Sequence, residues 1–181
     1  MRLRPLVLAA ACAAVCAFAV PTAGHAAVAD SSAAGFLVHH EGVIHAPAAD
    51  VYAALAKIGS WWDGNHSWSG QASNLSLDPR AGGCFCEKLP NGTVQHMTVV
   101  YADPGKQLRL SGGLGPLQGL AVSGAMTFAL KGGDDGTRVT LDYMVGGYMP
   151  GGIGSLAHPV DGVLGIQFAR FKRFVETGKP Q

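Results

Sequence analysis

Charge, cysteine and long apolar runs are all scarce in this chain. Only 14% of its 181 residues are charged, and the signs nearly cancel, with 13 Lys and Arg against 12 Asp and Glu. Without a basic patch, nucleic acid is excluded as a partner. Cysteine is limited to four residues, and Cys12 and Cys16 lie in an N-terminal apolar stretch, so Cys84 and Cys86 alone belong to the body of the protein. A small exported domain stabilised by disulfides carries several well-separated pairs, so this one must rely on its core. The one long apolar run, Leu6–Val20, falls short of the roughly 20 residues of a membrane span. No Gly-x-Ser-x-Gly elbow, phosphate loop or His-Glu-x-x-His is present. Gly152-x-Gly154-x-x-Ala157 resembles a dinucleotide fingerprint, but too little chain follows it for the second strand of a βαβ unit.

What the N-terminus does contain is the layout of a secretory signal. Arg2 and Arg4 precede the apolar run, Pro21 follows it, and Gly24-His25-Ala26 offers a small-x-small cleavage site. Residues 1–26 are therefore expected to be removed, and the product is expected in the periplasm or outside the cell. The loss of Arg2 and Arg4 leaves 11 basic against 12 acidic residues, a net charge of −1. The remaining 155 residues suit one domain, expected to act as a monomer with no transmembrane span.

Residues 27–35 are small and polar and read as a disordered leader. Phe36–His45 reads as a strand. Pro47 then starts a helix in which Val51, Leu55, Ile58 and Trp62 fall at helical spacing. From 74 to 147 the pattern changes to short runs broken by turn residues, with strands expected near 74–78, 83–89, 93–101, 107–112, 121–131 and 137–146. A second helix follows over 159–176. Val160, Leu164, Phe168, Phe171 and Val175 form its apolar stripe, with Asp161, Lys172, Arg173 and Glu176 away from it. The order is a strand, a helix, a meander and a long amphipathic helix. That predicts an α+β domain in which one sheet face is covered by the last helix.

The segments IHAPAADVYAALAKIGSWW, LSLDPRAGGCF, VVYADPGKQLRLSG and GTRVTLDY, with the closing helix, resemble in order and spacing the START-like (SRPBCC) superfamily. The nearest branch includes the C-terminal domain of the heat-shock ATPase activator. The likeness covers most of 36–176 and sets the domain at 36–177. It implies a helix-grip fold, a curved antiparallel sheet wrapped around a long C-terminal helix, with an apolar cavity between them. Members bind lipids and other hydrophobic ligands, and some are hydrolases or cyclases. The co-chaperone role does not carry over, because an exported protein does not meet a cytosolic chaperone.

The richest local stretch is GGCFCEKLPNGTVQHM, residues 82–97. Asn91-Gly92 marks a hairpin; a two-residue loop there pairs Glu87 with His96, Cys86 with Met97 and Cys84 with Val99. Alternation then puts Cys84, Cys86, Met97 and Val99 on one face and Phe85, Glu87, His96 and Thr98 on the other. A joint Cys-Cys-Glu-His metal site is excluded unless a bulge intervenes. Three readings of the sulphur face stay open: a soft-ion site, a Cys84–Cys86 disulfide made possible by a bulge, or apolar cavity lining, which is preferred. Glu87 and His96 form the enzymatic alternative, a carboxylate orienting a general base. The apolar sulphur face argues that this pair points to water; Phe85, on the same side as the pair, argues the opposite.

The reading that results is a domain binding a small hydrophobic molecule, with no cofactor and no metal. Its expected lining is Trp62, Cys86, Met97, Leu110, Leu117, Met126, Phe128, Leu141, Tyr143, Tyr148, Leu164, Phe168 and Phe171. The alternatives are a hydrolase or cyclase using Glu87 and His96 in the same cavity, and an interaction module with a filled core. Trp61, Trp62, His66 and Trp68 are candidates for core packing or for a cavity mouth. His39, His40 and His45 read as strand-surface histidines. The leucines of GGLGPLQGL, 112–120, either fold onto the sheet rim or gate the cavity opposite Tyr148-Met149-Pro150.

Overall fold

The computed structural model describes residues 27–181; the expected signal segment lies outside the described residues. Eight strands form one antiparallel sheet: β1 (Ala27–Ser31), β2 (Gly35–Ile44), β3 (Leu75–Leu77), β4 (Cys84–Leu89), β5 (Gly92–Asp103), β6 (Gln107–Gly112), β7 (Ala121–Gly133) and β8 (Gly136–Tyr148). Their order across the sheet is β1-β2-β8-β7-β6-β5-β4-β3. Two short helices, α1 (Ala48–Leu55) and α2 (Ile58–Trp61), connect β2 to β3, and α3 (Ala157–Thr177) closes the chain. This is the α+β helix-grip arrangement, a curved sheet around a long C-terminal helix. Among the described residues no helix is long and apolar enough to cross a membrane.

Alternation does most of the folding work. Along β8, Val139, Leu141, Tyr143 and Val145 are buried while Met144 is exposed, the period-2 signature of a sheet wetted on one side. On α3, Leu164, Phe168 and Phe171 meet that inner face, and Phe171 packs against Trp61 at 5.0 Å and Phe128 at 6.4 Å between ring centroids. The described residues hold one continuous core of these side chains.

Three local expectations are corrected. Residues 27–31 are strand rather than disordered leader. The free edge of β2 accepts them as β1, and Ser31 Oγ donates to the Gly154 carbonyl at 3.2 Å while Ile153 N donates to that of Ala33 at 3.1 Å. Backbone pairing orders a segment whose composition alone could not. Asp161 does not lie away from the helix stripe but is buried, with its Oδ1 3.1 Å from Nε2 of a buried His40, off the angle of a hydrogen bond. His40 is thus not a surface histidine: burial lowers its pKa, and the Asp161 carboxylate opposes this only in part. His39 does remain on the wet side, paired with Asp142 at 2.6 Å.

The third correction concerns the hairpin. Leu89 pairs with Gly92, so the loop is Pro90-Asn91, and the ladder shifts register between Phe85 and Cys86: Cys86 faces Gln95 while Phe85 faces Met97. His96 is the extra residue of this β-bulge. Cys84 and Cys86 are on the outer, half-buried side and are joined to each other in a disulfide, with their Cα atoms 5.4 Å apart. Met97 and Val99 change sides at the bulge and join Phe85, Glu87 and His96 in the interior. The preferred reading of an inward sulphur face rested on a flat ladder, and the single inserted residue removes that premise; of the readings left open, the structure has the Cys84–Cys86 disulfide and the inward direction of the Glu87–His96 pair.

Candidate functional site

The bulge brings two ionisable side chains into the wall of the domain. Glu87 is 1% exposed and His96 5%. Glu87 Oε2 accepts from His96 Nε2 at 2.9 Å and from the backbone N–H of Trp68 at 3.1 Å, and Oε1 accepts from that of Ser69 at 2.5 Å. Burial pushes the carboxyl's pKa up, but the hydrogen bonds from Ser69, His96 and Trp68 together outweigh it and hold the group below its ordinary range. Glu87 is therefore an anion and only an acceptor, which assigns the bonding proton to His96 Nε2. In the neutral ring Nδ1 then carries the lone pair, and this buried atom has no partner among the described residues. The Phe85 ring packs on the imidazole at 4.9 Å, and Trp62 meets Phe85 at 5.6 Å.

Loop 62–69 is held from two sides. Beyond the anchor on Glu87, α3 grips it through buried Gln167, whose Oε1 accepts from Asp63 N at 2.8 Å and whose Nε2 donates to His66 Nδ1 at 2.9 Å. Arg170 adds bonds to the carbonyls of Trp61 and Trp62. Trp62 Nε1 donates to the His66 carbonyl at 2.9 Å, closing the loop on itself.

Between this loop, the bulged strands, the turn Gly115–Gly119 and the start of α3 lies a cavity of about 360 Å³. That is within the range of small-molecule sites, about 300–1,000 Å³. Its walls are mostly apolar: Trp62, Phe85, Leu75, Leu117 and Val160 among them, with Trp68 at 55% exposure among its lining. His96 contributes to the wall, and Asn65, His66 and Ser67 add polar groups. Among the described residues no Lys, Arg, Asp or Glu lines it.

Of the residues expected to line a cavity, Trp62 and Leu117 do, as does His96 from the enzymatic alternative. Cys86 does not, because it is on the outer side of β4. Tyr148 is 71% exposed and absent from the lining, so the turn with Leu117 has no tyrosine gate opposite it. Met97 and Leu110 are core. Met126, Phe128, Leu141, Leu164, Phe168 and Phe171 surround only a residual void of about 10 Å³, room for one water at most. The middle of the helix is packed solid, and the open space lies at its N-terminal end.

Tyr143 has a different task from the one expected. Its hydroxyl donates to the Gly112 carbonyl at 3.1 Å and accepts from Leu114 N at 3.0 Å, with burial pushing its pKa up to about 12. It thereby clamps the root of the turn that carries Leu117. Gly112 is needed there: its φ is 146° and a Cβ would sit 2.9 Å from the His96 carbonyl oxygen.

The lining residues that sequence reasoning missed include Asn65, Ser67, Leu75 and Pro116 and, from the start of the helix, Leu156, Pro159 and Val163, with Val160 placed on the stripe but not in the site. On the helix side a signal was there. The spacing of those last four, i, i+3, i+4 and i+7, is an apolar helical face in its own right. It is offset from the Leu164–Phe168–Phe171 line, and that offset was the available signal. Among the described residues no group of three His, Cys, Asp or Glu side chains is placed to hold a metal ion.

The chain matches no family model and no curated protein. Solved structures do share its fold. An uncharacterized protein from Rhizobium leguminosarum is 19% identical over 78% of this chain and 95% of its own, with a TM-score of 0.57. The Aha1 dimer from Colwellia psychrerythraea is 16% identical over 79% of this chain and 98% of its own, at 0.58. DynU16, from the dynemicin biosynthetic locus, is 20% identical at 0.54; the match covers 80% of this chain but 48% of DynU16. At these identities the likeness is one of fold, and the resemblance drawn from sequence stands at that level.

Proposed function

We propose that this protein binds a small hydrophobic molecule in the cavity between loop 62–69, the Leu117 turn and the first turns of α3. One observation carries the reading: a cavity of about 360 Å³, walled by aromatic and aliphatic side chains with no charged residue among the described ones that line it. Burying apolar ligand surface there is worth about 25 cal/mol per Å² before the costs of association. Loop 62–69 is fixed by Glu87, Gln167 and Arg170, so much of the wall is ordered before a ligand arrives.

The test is to fill the space. Val160→Trp puts an indole into the cavity from α3. An environment-sensitive apolar dye should then bind at least tenfold more weakly, while folding stability changes by about 1 kcal/mol or less. Unchanged dye affinity in a folded variant would place the ligand elsewhere.

A second reading is favoured by the dyad itself. A carboxylate on Nε2 leaves Nδ1 as a base, the arrangement a hydrolase or cyclase of a hydrophobic substrate requires. In that role Glu87 orients His96 and holds the charge that forms on it, and His96 takes the proton. Export belongs to the same proposal, carried by Arg2, Arg4 and the run Leu6–Val20. N-terminal sequencing of the secreted product should begin at Ala27, and a mature chain starting at Met1 would refute it.

A further inference from the structure

We propose that the cavity selects a neutral hydrophobe bearing a single hydroxyl group, which donates its hydrogen bond to Nδ1 of His96. The inference rests on the cavity being the ligand site and names the chemistry of what enters it. Three observations converge. His96 lies in the cavity wall and is nine-tenths buried or more, with one ring nitrogen committed to Glu87 and the other unpartnered. An unmade hydrogen bond on a buried polar atom is costly, so a ligand that supplies the missing donor is favoured over one that does not. Because Glu87 can only accept, Nε2 is the donor of that pair, and in the neutral ring Nδ1 takes a donor in return.

The same geometry rejects other head groups. A carboxylate would enter a space with no Lys or Arg in its wall and would approach the Glu87 anion, which is only 2.9 Å behind the imidazole. Desolvation without a counter-charge makes that unfavourable. An ether or ketone of the same shape presents a lone pair to a lone pair. Of the remaining polar lining, Ser67 Oγ already donates to the Gly64 carbonyl at 2.8 Å and His66 Nδ1 accepts from Gln167, which leaves the Asn65 side chain and His66 Nε2 as the further polar groups there. Nδ1 is covered by the surrounding wall in this structure, so the hydroxyl reaches it only when that wall shifts. Trp62, Phe85 and Trp68 supply aromatic surface for the apolar part of the ligand.

Calorimetric titration of the purified protein at neutral pH with naphthol, its methyl ether and naphthoate tests the idea. Naphthol should bind about tenfold more tightly than either of the others, the worth of one hydrogen bond to a buried group. Equal affinity for naphthol and its ether overturns hydroxyl selection and leaves the hydrophobic cavity standing. Binding of none of the three overturns the cavity reading itself. A preference for naphthoate would mean that Nδ1 is protonated, and it also ends the proposal.

His96→Phe gives an independent arm. It removes Nδ1 and keeps an aromatic ring in the cavity wall. A folded variant should bind naphthol and its methyl ether equally well. A folded variant that still prefers naphthol overturns the assignment of Nδ1 as the acceptor and the proposal with it. Should the variant not fold, the wild-type ranking decides alone.

Discussion

Replacing Glu87 with alanine should remove about 3–5 kcal/mol of folding stability, measured by urea unfolding at neutral pH. Among the described residues the carboxylate is the only acceptor for the backbone N–H groups of Trp68 and Ser69 and for His96 Nε2. Each donor left unpaired in a buried setting costs about 1–3 kcal/mol, and the void left by the side chain adds to that. Water reaching the loop from the adjacent cavity recovers part of the loss, which is why the three penalties do not add in full. The figure is large for a surface-proximal strand because Glu87 joins the bulged hairpin to loop 62–69.

The pH dependence carries the sign of the effect. Glu87's pKa in the folded state lies below its ordinary value of 4.5. Its ionised form therefore contributes fully above that ordinary value, and the contribution fades as the pH falls through the depressed one. The stability gap between wild type and Glu87→Ala should accordingly narrow in acid. His40, whose pKa is also lowered, loses its contribution earlier, as the pH falls below its ordinary value of 6.5, but this is common to both proteins and cancels in the difference. A gap below about 1 kcal/mol at neutral pH, or one that stays constant into acid, would show that the pair is a solvated contact after all.

How much of this was legible beforehand follows from what each signal encodes. The meander and the closing helix were readable because periodicity reports which face is buried, and the faces of β8 and of the middle of α3 came out as the alternation demands. β1 was not, because Ala27–Ser31 has no strand pattern and is ordered by an edge supplied elsewhere. The hairpin is the sharpest case. Asn91-Gly92 located the turn to within a residue or two, and alternation correctly kept Phe85, Glu87 and His96 on one face. Nothing in the composition announced that His96 would be inserted as an extra residue, and that insertion moved Met97 and Val99 across the sheet. The cavity's place was misjudged for a related reason. A stripe on a helix shows what is buried, but not whether it meets packed side chains or open space.

Phe171→Ala separates those two possibilities. Phe171 is fully buried and packs between Trp61 and Phe128, and it borders the residual void of about 10 Å³ rather than the large cavity. Truncation removes a ring's worth of apolar contact and enlarges a space that the sheet and helix cannot close, because both are held by the rest of the core. The expected cost is about 3–5 kcal/mol, seen as a lower urea midpoint with an unchanged slope. Affinity for an apolar dye should stay within about threefold of wild type in the folded protein, since a shift under 1 kcal/mol is what a residue outside the lining transmits. Trp62 is the one aromatic that lines both spaces, and it is fixed by its own bond to the His66 carbonyl and by Arg170 on its backbone. That fixed indole is what should insulate the cavity from the loss. If the dye instead binds Phe171→Ala much more tightly, the void beneath the helix has become the better site, and the ligand pocket extends along α3 as the sequence first suggested. If affinity collapses with stability, Trp62 has moved, and the two spaces are one mechanical unit.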